Sequence, residues 1–357
     1  MPDLGLVKFM LQKREEHLST FASKSYETKG REISEDPPDL RTEFQRDRDR
    51  IIHCKAFRRI KHKTQVFIAP KGDHYVTRLT HTLEVAQIAR TIARALNLNE
   101  DLTEAMALGH DIGHPPFGHI GESELGSLCC KGFRHNVQSL RIVDHLERKG
   151  KGLNLTFEVR QGILHHSKPR GDFWGGELPP DLSLEAQILR VSDAIAYLNH
   201  DLLDSFRAGI LRKSDVPSDV GEILGHSHSS RIDSMITDIV RASWGATGLL
   251  SNCVNPAISV SEPVRQAANS LREFMFQRVY MPINDGSEGI AARGIIRLLF
   301  EYFNENVELI PDDYLELGDS TEDAAVDYIA GMTDNFAIEL SESISEGVSE
   351  PLRERLV

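Results

Sequence analysis

Cysteine is scarce in this 357-residue chain, and its four copies are poorly placed for cross-linking. Cys54, Cys129, Cys130 and Cys253 include one adjacent pair, which suits neither a disulfide framework nor a CxxC zinc site. A reducing compartment follows from that usage. Long apolar runs are also missing. No stretch approaches the roughly 18 apolar residues of a membrane-spanning helix, and the N-terminal MPDLGLVKFMLQKREEHL lacks the apolar core of a signal peptide. The expectation is a soluble cytoplasmic protein with no membrane partner. Alternating strand patterns are few, and GLNLTFEV at 152–159 is the best of them. From Glu301 to Glu350 there is no Lys or Arg at all.

What is present fits a large globular chain. Hydrophobic residues make up 40% and charged residues 27%, enough for one large core or a main domain with an appended lobe, and unlike a disordered chain. Net charge is −13, yet basic residues outnumber acidic ones between Arg41 and Arg78. A basic segment inside an acidic protein points to a local anionic ligand rather than to wholesale nucleic-acid binding. Within it, Arg46, Arg48 and Arg50 are expected to pair with neighbouring acids. Arg58, Arg59, Lys61 and Lys63 are left as candidates for phosphate contact.

The periodicity is helical nearly throughout. Val76 to Leu96, Leu102 to Leu108 and Leu184 to Leu202 carry apolar residues at three-to-four spacing. Further helices are expected over 231–243, 263–279, 290–304 and 321–343. Loops are expected at GDHY (72–75), at 167–181 and at 213–222. EISEDPPDL breaks any helix, so residues 1–40 read as a loosely structured arm. The division that follows is this arm, a mostly α main domain over 41–260 and a C-terminal helical portion over 261–357. The fold class is all-α.

Residues 109–122 read GHDIGHPPFGHIGE, with three histidines, an aspartate and a glutamate around a Pro-Pro turn. His110 and Asp111 fall at a helix end, where adjacent side chains can converge. His81 lies mid-helix in RLTHTLEVAQ and Asp193 mid-helix in RVSDAIAYLNHD. Two imidazoles and two carboxylates form a mixed nitrogen and oxygen donor set suited to an octahedral divalent cation. Each has an ordinary reading when taken singly: a core histidine, a partner for Arg190, a helix C-terminal imidazolium.

Taken together, the pattern H…HD…D resembles the HD-domain metal-dependent phosphohydrolases. Longer strings, RTEFQRDRDRIIHCKAFRRIKHKTQVF (41–67), TRLTHTLEVAQIAR (77–90), GHDIGHPPFGHIGE, FRHNVQSLRIV (133–143), SDAIAYLNHD (192–201) and DYIAGMTD (327–334), resemble the deoxyguanosinetriphosphate triphosphohydrolase branch. This resemblance implies an HD-domain helical core with additional C-terminal helices. It also implies cleavage of a deoxynucleoside triphosphate between the α-phosphorus and the 5′ oxygen, giving deoxynucleoside and triphosphate. His81, His110, Asp111 and Asp193 would hold one divalent cation per site, Mn, Mg, Fe, Co or Ni. His119 would be the catalytic histidine and Glu122 the carboxylate that orients it, with His114 a second histidine beside the phosphates. Arg78 and His135 match phosphate contacts; Gln65, Tyr197 and Asp201 match residues around the deoxyribose. Asn136 reads as a helix cap, and His165-His166 as a candidate edge of the site. One departure stands out: a vertebrate dNTP-degrading relative has a lysine after the metal aspartate, where this chain has Ala194. Another cation must serve, from 41–63 or from Arg278 or Arg293. The resemblance further implies homo-oligomers and a nucleotide at a second, activating site. The alternatives are an HD-type nucleotidase or phosphodiesterase acting on another nucleotide, and a non-catalytic nucleotide-sensing scaffold.

Overall fold

A computed structural model describes residues 4–67, 76–168, 174, 178–250 and 253–353. They form the helices α1 (Leu4–Glu15), α2 (Glu43–His53), α3 (Lys55–Arg59), α4 (Arg78–Ala95), α5 (Glu100–Gly109) and α6 (Gly118–Leu128). Next come α7 (His135–Arg141), α8 (Phe157–His165), α9 (Leu184–Arg207), α10 (Ser218–Leu224), α11 (His228–Ala242) and α12 (Glu262–Met275). The last are α13 (Met281–Asp285), α14 (Ser287–Glu305), α15 (Asp312–Leu315), α16 (Thr321–Ala330), α17 (Asp334–Ile344) and α18 (Glu350–Arg353). The described residues hold no β-strand, only isolated bridges of Arg31 with Thr156 and Thr64 with Thr77. The fold is all-α, as the periodicity indicates.

Four local expectations need correction. The strand suggested at 152–159 does not form: Gly152 and Asn154 both take positive φ, which interrupts an extended run, and Phe157 opens α8. The N-terminal arm is not loose before its proline break. It forms α1, and Glu15 is buried, accepting from the Ser25 amide (2.8 Å), the Ser25 hydroxyl (2.7 Å) and Asn99 Nδ2 (2.9 Å). Residues 213–222 include the start of α10, which begins directly after Pro217 and buries Val220 and Leu224 one turn apart. The single helix expected over 321–343 is two, because Gly331 ends α16 and the Thr333 hydroxyl caps α17 by accepting from the Phe336 amide. The loops expected at 72–75 and over 169–173 and 175–177 lie outside the described residues.

The chain divides into two compact units that interleave in sequence, one built from 1–52, 82–110 and 154–275, the other from 53–81, 111–153 and 276–357. In the first, the long helix α9 is the spine. Ser183 caps it, its side chain accepting from the Ala186 amide, and Ile188, Leu189, Ile195, Leu198 and Leu202 are buried along it. Each such side chain contributes roughly 1.5–3 kcal/mol by leaving water. Helices α5, α8, α11 and α12 pack on α9. Gly162 lets α8 approach α5 closely: a Cβ there would lie 1.9 Å from Met106 Sδ. In the second unit α14 is central, packing against α6, α16, α17 and α18 around Leu125, Ile295, Ile296, Leu299, Phe303 and Ile329. In both units the ends of core helices carry the polar residues of interest.

Candidate metal and proton-transfer site

In the first unit, the close approach of α5 and α8 brings the rings of His110 and His166 to 4.8 Å between centroids, edge to face. Both rings are buried and fixed in the same way. His110 Nδ1 lies 2.6 Å from the Ala107 carbonyl, and His166 Nδ1 lies 2.7 Å from the Ile163 carbonyl. A carbonyl oxygen can only accept, so each Nδ1 carries a proton, and Nε2 is the nitrogen left to meet a cation. Such backbone contacts commonly orient a metal-binding imidazole. His110 Nε2 is 3.9 Å from Asp193 Oδ1 on α9. Two donors to one ion, each with a bond of about 2.1 Å, lie at most about 4.2 Å apart, so this pair fits a shared cation. His166 joins His110 and Asp193 in a set whose donor atoms lie within 4.8 Å of one another.

The stripe predicted on α9 continues through Tyr197 and Asp201. Asp201 is buried beside His200, whose Nε2 lies 3.3 Å from it. Burial raises the Tyr197 phenol pKa, while the charge of Arg272 on α12 opposes that shift. Arg190 Nη1 donates to the carbonyls of His165 (2.6 Å) and Ser167 (3.3 Å).

In the second unit Asp111 is the hub. Its Oδ2 accepts from Arg78 Nη1 at 2.5 Å and lies 3.6 Å from His81 Nε2. Its Oδ1 lies 3.4 Å from His114 Nε2 and 3.9 Å from His135 Nε2. Asp111, Arg78, His81, His114 and His135 are all buried. The His81–Asp111 spacing also falls within the limit for two ligands of one ion.

The turn after Asp111 ends in two left-handed residues, Phe117 (φ 62) and Gly118 (φ 56), and α6 starts there. Gly118 is needed for a second reason: a Cβ would meet Arg78 Nη2 at 3.0 Å and the Gln65 carbonyl at 3.1 Å. On the first turn of α6, His119 Nδ1 lies 3.0 Å from Glu122 Oε2. The His119 side chain is 70% exposed, so a ligand can reach it. Glu122 Oε1 accepts from His135 Nδ1 (2.7 Å) and the His135 amide (2.8 Å). The His135 ring stacks on His114 at 3.9 Å.

The protonation states follow from these contacts. Desolvation works against charge on His119, but the Glu122 carboxylate outweighs it and raises the imidazole pKa. Burial works against charge on Glu122, but hydrogen bonds from His119 and His135 drive its pKa far down. Burial holds His114 neutral, and the Arg78 and His135 charges reinforce this. Among the described residues, His114 Nδ1 and Gln65 Oε1 are buried with no hydrogen-bond partner, which is costly unless a ligand meets them.

Each unit therefore gathers the predicted residues that belong to it: His110, Asp193, Tyr197 and Asp201 in one; Gln65, Arg78, His81, Asp111, His114, His119, Glu122 and His135 in the other. The expected cap at Asn136 is displaced. Arg134 occupies the N-cap position of α7, and the Glu122 carboxylate meets its first amide instead. As anticipated, Arg46 and Arg50 pair with Glu35, and Arg48 pairs with Asp49 (3.0 Å) and Glu104 (3.2 Å). Lys63 is not available to phosphate: it is buried and donates to the carbonyls of His114 (2.6 Å) and Ala330 (2.7 Å). Arg293 Nη1 donates to Asn284 Oδ1. Sequence reasoning did not single out Arg272, gave Asp334 no role beyond closing the DYIAGMTD string, and left His166 only as an edge.

The HD domain matches residues 78–198 and the phosphohydrolase-associated domain matches 258–343. A deoxyguanosinetriphosphate triphosphohydrolase-like protein of Caldanaerobacter subterraneus subsp. tengcongensis is 51% identical over 90% of this chain and 90% of its own length. One of the same name from Desulfatibacillum aliphaticivorans is 48% identical over 92% of this chain and 94% of its own. Among solved structures, a hypothetical protein from Aquifex aeolicus aligns with a TM-score of 0.46 at 18% identity, over 87% of this chain and 70% of that one.

Proposed function

The chain belongs to the HD-domain family of deoxyguanosinetriphosphate triphosphohydrolase-like proteins, and from that premise we propose that it hydrolyses deoxynucleoside triphosphates at the α-phosphorus. Water attacks that phosphorus and the bond to the 5′ oxygen breaks. The 5′ oxygen takes up a proton to give the deoxynucleoside, and triphosphate leaves with the oxygen of water.

The observation that carries this reading is the exposed His119 held by Glu122. A raised imidazole pKa favours the protonated ring to higher pH than in a free histidine, and the carboxylate holds Nδ1, so Nε2–H faces outward. That is the arrangement of a general acid for an alkoxide leaving group. Arg78, fixed by Asp111, supplies positive charge for the phosphates, and neutral His114 supplies a buried nitrogen that a phosphate oxygen or water can meet. Gln65 Oε1 is an acceptor suited to the 3′-OH. Tyr197 packs where a 2′-OH would stand, and Asp201 accepts from the sugar. The spacing within each pair, His110 with Asp193 and His81 with Asp111, fits two ligands of one ion, and the assignment of a single divalent cation to all four residues rests on the family resemblance. When bound, that cation acidifies the attacking water and withdraws charge from a non-bridging phosphate oxygen. Homo-oligomers and an activating nucleotide belong to the same reading, on the family resemblance alone.

The test is product analysis. Each of the four dNTPs, singly and mixed, is incubated with the protein and Mn²⁺, Mg²⁺ or Co²⁺. Deoxynucleoside with triphosphate supports the reading. Release of orthophosphate or pyrophosphate, or no turnover under any condition, contradicts it.

A further inference from the structure

The turn that launches α6 is strained and held from outside. Phe117 is the one aromatic residue with positive φ among the described residues, and such a backbone persists only when its surroundings enforce it. Its amide donates to Asp334 Oδ1 at 3.1 Å. The other oxygen of Asp334 accepts from the Thr64 amide at 2.7 Å and from the Thr64 hydroxyl. Beside Thr64, Lys63 Nζ donates to the His114 carbonyl and to the Ala330 carbonyl at the end of α16. Arg78 Nη2 donates to the Thr64 carbonyl at 3.1 Å.

These bonds close a ring. Lys63 ties residue 114 to 330, and Asp334 ties 117 to 64. Both side chains are buried, at 3% and 8% exposure, so solvent offers no substitute partners. Burial pushes the Lys63 ammonium down to about 7, with Asp334 opposing the shift; the neutral amine still has two N–H donors for its two carbonyls. His119 follows Phe117 by two residues, so the angle at which α6 leaves this turn sets where its ring stands.

Resting on the dNTP hydrolysis reading, we propose that Lys63 and Asp334 are positioning residues that clamp the 114–118 turn and thereby aim His119. The first turn of α17 is then a working part of the site. Displacing a reacting group by about 1 Å costs about 100-fold in rate, which sets the scale of the effect.

The test uses the full chain with Asp334→Asn, Lys63→Met and Thr64→Val, measured three ways. Expected for Asp334→Asn are a kcat reduced about 100-fold, a nearly unchanged KM and unchanged Co²⁺ affinity. Amide exchange of the peptide around 112–120 should quicken at least ~10-fold, because asparagine has one acceptor oxygen where Asp334 serves the Phe117 and Thr64 amides with two, and its Nδ2 donor opposes whichever amide it faces. Lys63→Met should do the same. Thr64→Val removes one donor without stranding a charge, so it should fold and show a smaller shift in the same direction; it decides the matter if the other two do not fold. A folded Asp334→Asn with wild-type kcat overturns the proposal, as does unchanged exchange over 112–120, or a rate loss matched by loss of Co²⁺ affinity. If the unmodified protein hydrolyses no dNTP, the functional reading fails, and amide exchange alone decides whether the clamp exists.

Discussion

Glu122 Oε2 stands 3.0 Å from Nδ1 of His119, one turn back along the same helix. The carboxylate is shared, because its other oxygen holds His135. The pKa of His119 is raised, so the imidazolium persists to higher pH than in a free histidine, and acid catalysis should fade only as pH rises through that raised value. Replacing Glu122 with Gln removes the charge that raises it. The basic limb of the kcat profile should move to lower pH, with kcat at neutral pH down by roughly 10-fold or more. A pH–rate profile of the two proteins checks this.

His119→Ala removes the acid itself. The expected loss is about 10²–10⁴-fold in kcat, with divalent cation binding retained, because His119 belongs to neither of the pairs assigned to the cation. Isothermal titration with Mn²⁺ beside the rate measurement separates the two effects.

His166 shares its backbone-anchored geometry with His110 and belongs to one donor set with Asp193. His166→Gln should weaken cation affinity by about 10–100-fold, whereas His165→Gln, at a half-buried residue outside that donor set, should change it little. Co²⁺ titration of both variants reads the difference.

His200 gives a stability prediction. It is buried, lies 2.9 Å from Glu84 and 3.3 Å from Asp201, and has its pKa raised to about 9, the two carboxylates outweighing burial. A raised folded-state pKa contributes stability that is full below the ordinary histidine value and is lost as pH rises through about 9. The contribution is on the order of 3 kcal/mol at most. The Tm of the protein should fall between pH 6.5 and 9, and His200→Gln, though less stable at low pH, should flatten that slope.

The legible part of the site was the part written in short strings. His110, Asp111, His114, His119 and Glu122 fall within one turn and the start of one helix, so local rules placed them. Asp193, Tyr197 and Asp201 follow helical spacing along α9. The clamp was not legible, because Thr64 and Asp334 are 270 residues apart and neither sits in a periodic pattern that signals contact. The place of His166 beside His110 was not legible for a similar reason: its partner is a backbone carbonyl three residues back, a bond any helix-end histidine can make. At Asn136, a capping residue type stood one place inside the helix, and a carboxylate from α6 took over the task. Helix existence was readable from apolar spacing, while the break at 331–333 depended on one glycine and one threonine cap.

The most direct test of the central claim is hydrolysis of a dNTP in H₂¹⁸O, with mass analysis of both products. Attack at the α-phosphorus with loss of the 5′ oxygen predicts one ¹⁸O in the inorganic triphosphate and none in the deoxynucleoside. Label in the deoxynucleoside, or in released orthophosphate or pyrophosphate, would contradict it.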